Sequence, residues 1–177
     1  KLVTSADDYD LVQVYGWEPR VSLVDAWTQV DRPGDALSGV LDPAFDPART
    51  AYVEGDPGIT SISNATPGTA TYREVTPEDV RITVTTADPA LVVVRNSYDA
   101  GWSATVEGEP APLLATDYLV QGVPVPAGTH EIRLVYRDDD VARGMVAGAV
   151  VWLLLLASIL AALLLERRSR RRRATDR

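Results

Sequence analysis

Polar and apolar residues alternate through most of the second half of the chain before its last 40 residues. The alternation is clearest in VRITVTT (80–86), WSATVEG (102–108) and THEIRLVYR (129–137), where every second residue falls on one face of an extended strand. LVVV (91–94) is apolar throughout, as in a strand buried on both faces, and DYLVQGVPV (117–125) also suggests a strand. This pattern predicts a mainly β fold, an antiparallel β-sandwich with jelly-roll-like winding.

Three glycine-containing turns are predicted between these strands. The turn 99–101 offers a glycine where a positive φ is needed, 107–108 forms a two-residue hairpin, and 126–128 forms a three-residue hairpin. Each hairpin would make its neighbouring strands antiparallel. The predicted structural turn residues are Gly101, Gly108 and Gly128.

The chain divides into four predicted segments. Residues 1–76 form a less regular β-rich region with a short helix near 34–41, which Pro43 and Pro47 prevent from extending. Residues 77–140 contain the sandwich strands and a Gly-Trp motif. The remaining segments are a transmembrane helix at 144–165 and a tail at 166–177.

The segment 144–165, GMVAGAVVWLLLLASILAALLL, contains 22 residues without a charge. As an α-helix with a rise of about 1.5 Å per residue, it spans roughly 33 Å, which is enough to cross the hydrocarbon core of a bilayer. The sequence therefore predicts contact with a lipid bilayer through one C-terminal transmembrane helix. Gly144 and Gly148 could form a packing face toward other transmembrane helices.

The charges predict the orientation of this helix. The tail after Leu165 carries seven arginines against two acids, and its net charge of +5 leaves −13 on residues 1–165 of a chain whose total is −8. An arginine-rich end is expected on the cytoplasmic side, so residues 1–143 are predicted to be extracytoplasmic in a bacterial cell membrane. The acidic outer part argues against a nucleic-acid partner.

The residue inventory excludes several kinds of site. The chain has no cysteine and one histidine, so disulfides, thiolate metal sites and cysteine nucleophiles are excluded, and no cofactor or metal is expected in it. His130 is either a structural imidazole on an apolar face or a general base, and the pattern favours the structural role. The acidic run 138–140 is interpreted as a solvated charge cluster rather than a divalent-cation site.

The stretch RNSYDAGWSATVEG (95–108) contains the candidate binding residues. Trp102 could stack on a sugar ring, with hydrogen bonds from Asn96, Tyr98 and Asp99 at the rim. Because Trp102 alternates in phase with Ala104 and Val106, the pattern favours a core role over a sugar platform. No nucleophile, base and orienting group can be assembled from spacing alone, so the chain itself is predicted to be non-catalytic.

Three long segments and the final apolar span resemble the C-terminal region of the bacterial YfhO family of polytopic membrane proteins. The segments are EPRVSLVDAW, DALSGVLDPAFDPARTAYVEG, and PALVVVRNSYDAGWSATVEGEPAPLLATDYLVQGVPVPAGTHEIRLVYR. The sequence departs from that family at Glu107, where Asp is usual, and at Ala100, where Pro is frequent. The resemblance implies a relation to glycosyltransferases of the GT-C type, which use polyprenyl-phosphate sugars outside the membrane.

The resemblance also implies which parts of such a protein this chain would lack. The catalytic acid of these transferases lies in an early outer loop, which has no counterpart in this chain. The opening KLVTSADDYD has neither a Met nor an apolar leader, so we expect the chain to be the C-terminal piece of a longer protein with further membrane spans.

Two hypotheses for function follow. In the first, the chain is the extracytoplasmic accessory domain and last transmembrane helix of a glycosyltransferase acting on cell-envelope glycopolymers, with the parent's other helices and a lipid-linked sugar or glycopolymer as partners. In the second, it is a non-catalytic, membrane-tethered β-sandwich that serves as a structural or protein-interaction module. An autonomous hydrolase with paired carboxylates is disfavoured, since no spacing singles out a pair.

Overall fold

A computed structural model describes residues 2–6, 9–12, 17–60 and 68–175. The predictions made for the remaining residues, including the last two of the arginine-rich tail, lie outside the described residues. The chain forms two compact units, residues 1–137 and residues 138–177, so the two predicted β segments belong to one unit.

The first unit consists of strands and one short helix. Its elements, in chain order, are β1 (Leu2–Ala6), β2 (Tyr9–Val12), β3 (Val21–Val24), β4 (Ala26–Val30), α1 (Pro33–Val40), β5 (Thr50–Glu54), β6 (Thr69–Thr76), β7 (Asp79–Thr86), β8 (Ala90–Ser97), β9 (Trp102–Val106), β10 (Glu109–Ala111), β11 (Leu114–Thr116), β12 (Val120–Val125) and β13 (Gly128–Tyr136). A five-stranded sheet has the order β10-β9-β13-β7-β6, and a six-stranded sheet has the order β3-β8-β12-β11-β5-β4. Strands β1 and β2 pair separately.

The two large sheets share one hydrophobic core. Alternate residues of β7, β9 and β13 on the five-stranded sheet and of β3, β8 and β12 on the six-stranded sheet are buried in a single cluster. Its members are Val21, Leu23, Val80, Ile82, Val84, Ala90, Val92, Val94, Ala104, Val123, Val125, Ile132 and Leu134. The prediction of a mainly β chain with antiparallel-rich sheets is confirmed, whereas the jelly-roll-like winding is not.

The apolar run in β8 is buried on both faces. Val92 and Val94 point into the core between the sheets, whereas Leu91 and Val93 belong to a second cluster with Ala51 of β5. A central strand covered on both sides needs apolar residues at every position, which is the reason that 91–94 does not alternate.

Strands β4 and β5 are the exception to the antiparallel pairing. They run parallel, with Ala26 opposite Thr50 and Val30 opposite Glu54, and α1 lies in the connection between them. Pro33 begins the helix, where its fixed φ is favourable, and the buried Ala36 anchors it. A parallel pair needs such a crossover connection, which the turn residues alone did not indicate.

Two of the three predicted turns join strands of different sheets. The turn 107–108 links the paired strands β9 and β10, and both Glu107 and Gly108 have positive φ, 53° and 85°, as a type I′ hairpin requires. By contrast, 126–128 leads from β12 to β13, which lie in different sheets, so the predicted three-residue hairpin is wrong. The turn 99–101 likewise crosses between sheets, from β8 to β9.

The structural reason for a glycine also differs between these turns. Gly128 has a φ of 132°, a backbone conformation that glycine adopts readily and other residues rarely do. Gly101 does not have a positive φ, contrary to the prediction. It is needed for space, because a Cβ there would lie 2.6 Å from Cε2 of Tyr136 and 2.8 Å from the carbonyl oxygen of Arg137.

We expect Gly101→Ala to destabilise the first unit by about 1–3 kcal/mol, because the backbone of Arg137 cannot yield as a flexible side chain would. Denaturant unfolding of the full chain in detergent measures the change. Gly34→Ala is the matched control, since a Cβ there meets nothing within 4 Å. Equal stability of Gly101→Ala and the wild type would show that the turn has more room than its geometry indicates.

The turn between β11 and β12 explains why the predicted strand 117–125 begins late. Asp117 and Tyr118 have φ values of 48° and 71°, so the chain is in the left-handed region shortly before β12 starts at Val120. Asp117 accepts a hydrogen bond from the backbone N–H of Tyr52 at Oδ1 (2.8 Å), and its own N–H donates to the Tyr52 carbonyl (2.7 Å). Its carboxylate therefore ties this turn to β5.

The half-buried position of Asp117 predicts a pH dependence of stability. Burial raises the pKa of Asp117 above its ordinary value of 3.8, against the opposing hydrogen bond from Tyr52 and the charge of Arg95. The folded state therefore binds the proton more tightly than the unfolded state, so stability falls as pH rises from the unfolded pKa through the folded pKa. Asp117→Asn keeps an acceptor oxygen and tolerates a positive φ, so we expect it to stabilise the chain at pH 7 and to flatten this acidic dependence.

Melting temperatures of the full chain between pH 3 and pH 7 measure this effect. Asp56→Asn is the control, because the exposed Asp56 also accepts a backbone N–H, from Gly58. A lower melting temperature for Asp117→Asn than for the wild type at pH 7 would contradict the expected stabilisation.

The second unit is a single helix, α2 (Asp139–Thr175). Oδ1 of Asp138 accepts the backbone N–H groups of Asp140 and Val141, both at 3.0 Å, so this acid of the 138–140 run caps the helix. Residues 143–162 are long and apolar enough to cross a membrane, and none of this segment is buried within the chain. The backbone remains helical through the arginine-rich segment as far as Thr175.

Candidate functional site

A cleft of about 370 Å³ lies on the first unit, where β6 and β9 of one sheet approach β8 of the other and the segment before β3. It is open to solvent and mostly polar. Its lining includes Arg20, Tyr72, Glu74, Arg95, Asn96 and Trp102.

Asn96 organises the polar side of this cleft. Its side chain is buried, with the residue only 8% exposed, near the end of β8 and two positions after the core residue Val94. Oδ1 of Asn96 accepts the Nε–H of Arg20 (2.7 Å), and Nδ2 donates to the hydroxyl oxygen of Tyr72 (3.3 Å). A buried amide is stable only when it is hydrogen-bonded, so Asn96 holds both neighbours in defined positions.

Arg20 is further oriented by the Tyr72 ring. Its guanidinium carbon lies 5.4 Å from the ring centroid, within the range of a cation–π interaction. The residue is exposed, although its Nε is fixed by a buried partner. Arg20 therefore presents its charge to solvent from a constrained side chain.

Trp102 forms the aromatic side of the cleft. It is half-buried, packs on the core between the sheets, and lies 5.4 Å from the Tyr136 ring at an interplanar angle of 56°. In the register of β9 and β13, Trp102 is paired with Tyr136, and Ala104 is paired with Leu134. The indole is thus both a core side chain and a lining residue of the cleft.

Arg95 has a structural environment. Its NH1 group donates to the Pro19 carbonyl (2.9 Å) and to the Ser22 hydroxyl (2.8 Å), and NH2 lies 3.7 Å from a Glu18 carboxylate oxygen. Burial lowers the pKa of Arg95 from its ordinary value, while the Glu18 and Asp117 charges oppose that change. The Arg95 guanidinium therefore lines the cleft and also connects β8 to the segment before β3.

Of the four predicted binding residues, the structure brings Asn96 and Trp102 together in the cleft. Tyr98 and Asp99 are not among its lining residues. Tyr98 is exposed in the connection between β8 and β9. In the same connection, Oδ1 of Asp99 accepts the Gly101 N–H (2.8 Å) and stabilises the turn. The Asp99 carboxylate therefore stabilises the backbone of its own turn.

Sequence reasoning missed Arg20, Tyr72 and Glu74. Arg20 lies 76 positions before Asn96 along the chain, and no local pattern links them. The only signal for Tyr72 is its place in the alternating stretch TATYREV, which predicts a strand but not which residue of another sheet it faces.

The remaining candidates show no catalytic arrangement. Nδ1 of His130 is 3.8 Å from a Glu107 carboxylate oxygen, and Nε2 is 3.4 Å from the Ala127 carbonyl, contacts that join neighbouring turns. Within residues 2–6, 9–12, 17–60 and 68–175, no group of three or more His, Cys, Asp or Glu residues could hold a metal ion.

Comparison of the chain with protein-family models, curated proteins and solved structures finds no match. The cleft and the apolar helix are therefore the features of the chain that bear on its function.

Proposed function

We propose that this chain is a membrane-anchored extracytoplasmic module that contacts a cell-envelope glycan, and that it forms the C-terminal part of a polytopic glycosyltransferase of the YfhO type. The chain itself is non-catalytic. The transfer would take place on other parts of such a protein, from a polyprenyl-phosphate sugar to a glycopolymer acceptor.

The observation that carries the glycan part of the proposal is the composition of the cleft. It combines the aromatic side chain of Trp102 with the carboxylate of Glu74 and the guanidinium of Arg20. Aromatic faces pack against the apolar face of a pyranose ring, and charged or amide groups form hydrogen bonds with its hydroxyls. Sites of this kind recognise sugars without any covalent chemistry.

The apolar helix and the charges support the membrane part of the proposal. Residues 143–162 provide the span, and seven arginines follow Leu165. The excess of positive charge after the span favours a cytoplasmic tail and leaves residues 1–143 outside. Further helices of the parent protein would pack against the span, which has small residues at Gly144 and Gly148.

Glycan binding by the full chain in nanodiscs tests the proposal, first on an array of bacterial cell-envelope oligosaccharides and then by titration. We expect Trp102→Phe to weaken binding about tenfold, because a smaller ring loses contact area with the sugar, which corresponds to about 1.4 kcal/mol. Trp17→Phe is the matched control, since Trp17 is 72% exposed and outside the cleft. Equal weakening of glycan binding by both variants would show that the cleft is not the glycan-binding site.

A structural or protein-interaction module is the second candidate function. It is favoured by the contacts of Asn96, whose amide is hydrogen-bonded to Arg20 and Tyr72 and so links β8 to β6 and to the segment before β3. If this alternative holds, no glycan on the array binds to the full chain, and Tyr72→Phe lowers only the stability of the first unit.

A further inference from the structure

We infer that the cleft selects glycans that carry an anionic substituent, a phosphate or a carboxylate group, and that Arg20 binds this group. The inference rests on the proposed glycan binding and assigns the substrate class of the same cleft. It is carried by the position of Arg20 on Asn96 and Tyr72.

The hydrogen bond to Asn96 leaves the outer edge of the Arg20 guanidinium available. The bond uses Nε, and among the described residues no hydrogen bond or ion pair within 4.0 Å engages the two terminal nitrogens. The two terminal nitrogens of a guanidinium form a planar pair of donors that matches two oxygens of a phosphate or carboxylate. A neutral sugar offers no group that would use both donors as strongly.

Because the Arg20 side chain is already constrained, it loses less conformational entropy when it binds an anion. A free arginine side chain loses conformational entropy when it binds a ligand. Arg20 has lost part of that freedom already, since its Nε is bonded to a buried amide and its guanidinium lies over the Tyr72 ring. The side chain is therefore preorganised for an anion.

The other charged residues that line the cleft, Arg95 and Glu74, are less suited than Arg20 to bind an anion. Arg95 is bonded to backbone carbonyls and lies near Glu18, so its charge is largely compensated. No ion pair within 4.0 Å joins Glu74 to Arg20 in the described part of the chain, and an exposed carboxylate can accept hydrogen bonds from sugar hydroxyls. The two groups suit one ligand that has an anion at one end and hydroxyls at the other.

The overall charge of this domain opposes the binding of an anion, because the domain is strongly acidic. Residues 1–137 contain nine lysine and arginine residues and 20 aspartate and glutamate residues, a net charge of −11 that repels anions at long range. An anionic glycan would therefore bind through a short-range contact at Arg20, and not through the overall field of the domain.

Matched probes test the inference on the full chain in phosphatidylcholine nanodiscs. Glucose 6-phosphate, glucose and inorganic phosphate are titrated by saturation-transfer NMR. We expect glucose 6-phosphate to bind at least about tenfold more tightly than glucose, the gain of one charge-assisted contact. Arg20→Gln should abolish this difference, and Arg20→Lys should restore only part of it because it keeps the charge without the paired donors. Arg49→Gln, at an exposed arginine outside the cleft, should leave the difference unchanged.

Each outcome separates this inference from the proposed function. Equal binding of glucose and glucose 6-phosphate would overturn the inference and leave glycan binding intact. Inorganic phosphate binding as tightly as glucose 6-phosphate would support the anion site and contradict the glycan role. Absence of binding by all three probes would overturn this inference, whereas the oligosaccharide array tests the proposed glycan binding separately. Loss of glucose 6-phosphate binding in nanodiscs that contain phosphatidylglycerol would assign the anion to lipid headgroups and overturn the glycan-borne anion.

Discussion

Replacing Leu153 and Leu154 together with arginine is expected to release the chain from membranes. Both leucines lie near the middle of the apolar segment 143–162. On the scale of helix insertion into membranes, each arginine at the centre costs about 2.5–3.5 kcal/mol and each lost leucine removes about 0.3–0.6 kcal/mol of favourable free energy, so the pair costs about 6–8 kcal/mol. The fraction of the chain that stays in carbonate-washed membranes measures the effect.

The control for this experiment is the replacement of the same two leucines with alanine, which shortens the side chains without adding charge. That variant should remain in the membrane fraction, since no charge has to be desolvated. Retention of the double-arginine variant in washed membranes would show that the first unit, and not the helix, attaches the chain to the membrane.

Leu134→Ala is expected to destabilise the first unit by about 2–5 kcal/mol, the cost of removing a fully buried leucine side chain and leaving a cavity. Leu134 lies on β13, between Val80 of β7 and Ala104 of β9, and it is 0% exposed. Its position at the centre of the five-stranded sheet prevents the surrounding residues from collapsing into the space. Denaturant unfolding of the full chain in detergent micelles, followed by near-ultraviolet circular dichroism, measures the loss.

Leu119→Ala provides the same chemical change at a position that is 63% exposed, in the turn before β12. The backbone carbonyl of Leu119, which accepts the Tyr98 N–H, is retained in the variant. We expect a change below about 0.5 kcal/mol, as is usual for surface positions. Similar destabilisation by both variants would contradict the shared core between the two sheets.

The strands of the second half were predictable because their side chains alternate between core and solvent. Ile82, Val84, Ile132 and Leu134 are apolar at every second position and buried at 0% exposure. Burial of one face imposes a period of two on the sequence, so the pattern can be recognised without knowledge of partners. The run 91–94 was predictable for the opposite reason, since a strand covered on both faces has no polar positions.

The connections were less predictable, because a turn motif specifies a local bend but not the sheet that the next strand joins. The positive φ of Glu107 and Gly108 agrees with their dipeptide chemistry, which favours a hairpin. The sequence 126–128 has similar turn residues, yet β12 and β13 lie in different sheets. Gly101 was expected to provide a positive φ, but it provides space beside Tyr136, which lies 35 positions later in the chain.

The sequence by itself determined the β character of the first unit, the apolar helix that can cross a membrane, and two of the residues that line the cleft. These features depend on local periodicity, on composition, or on residue type. Only the tertiary structure decided which strands pair, that β4 and β5 are parallel, and that Arg20 and Tyr72 meet Asn96. Those contacts join positions 24 to 76 residues apart, and their free energy comes from burial and hydrogen bonding that form only when the sheets pack together.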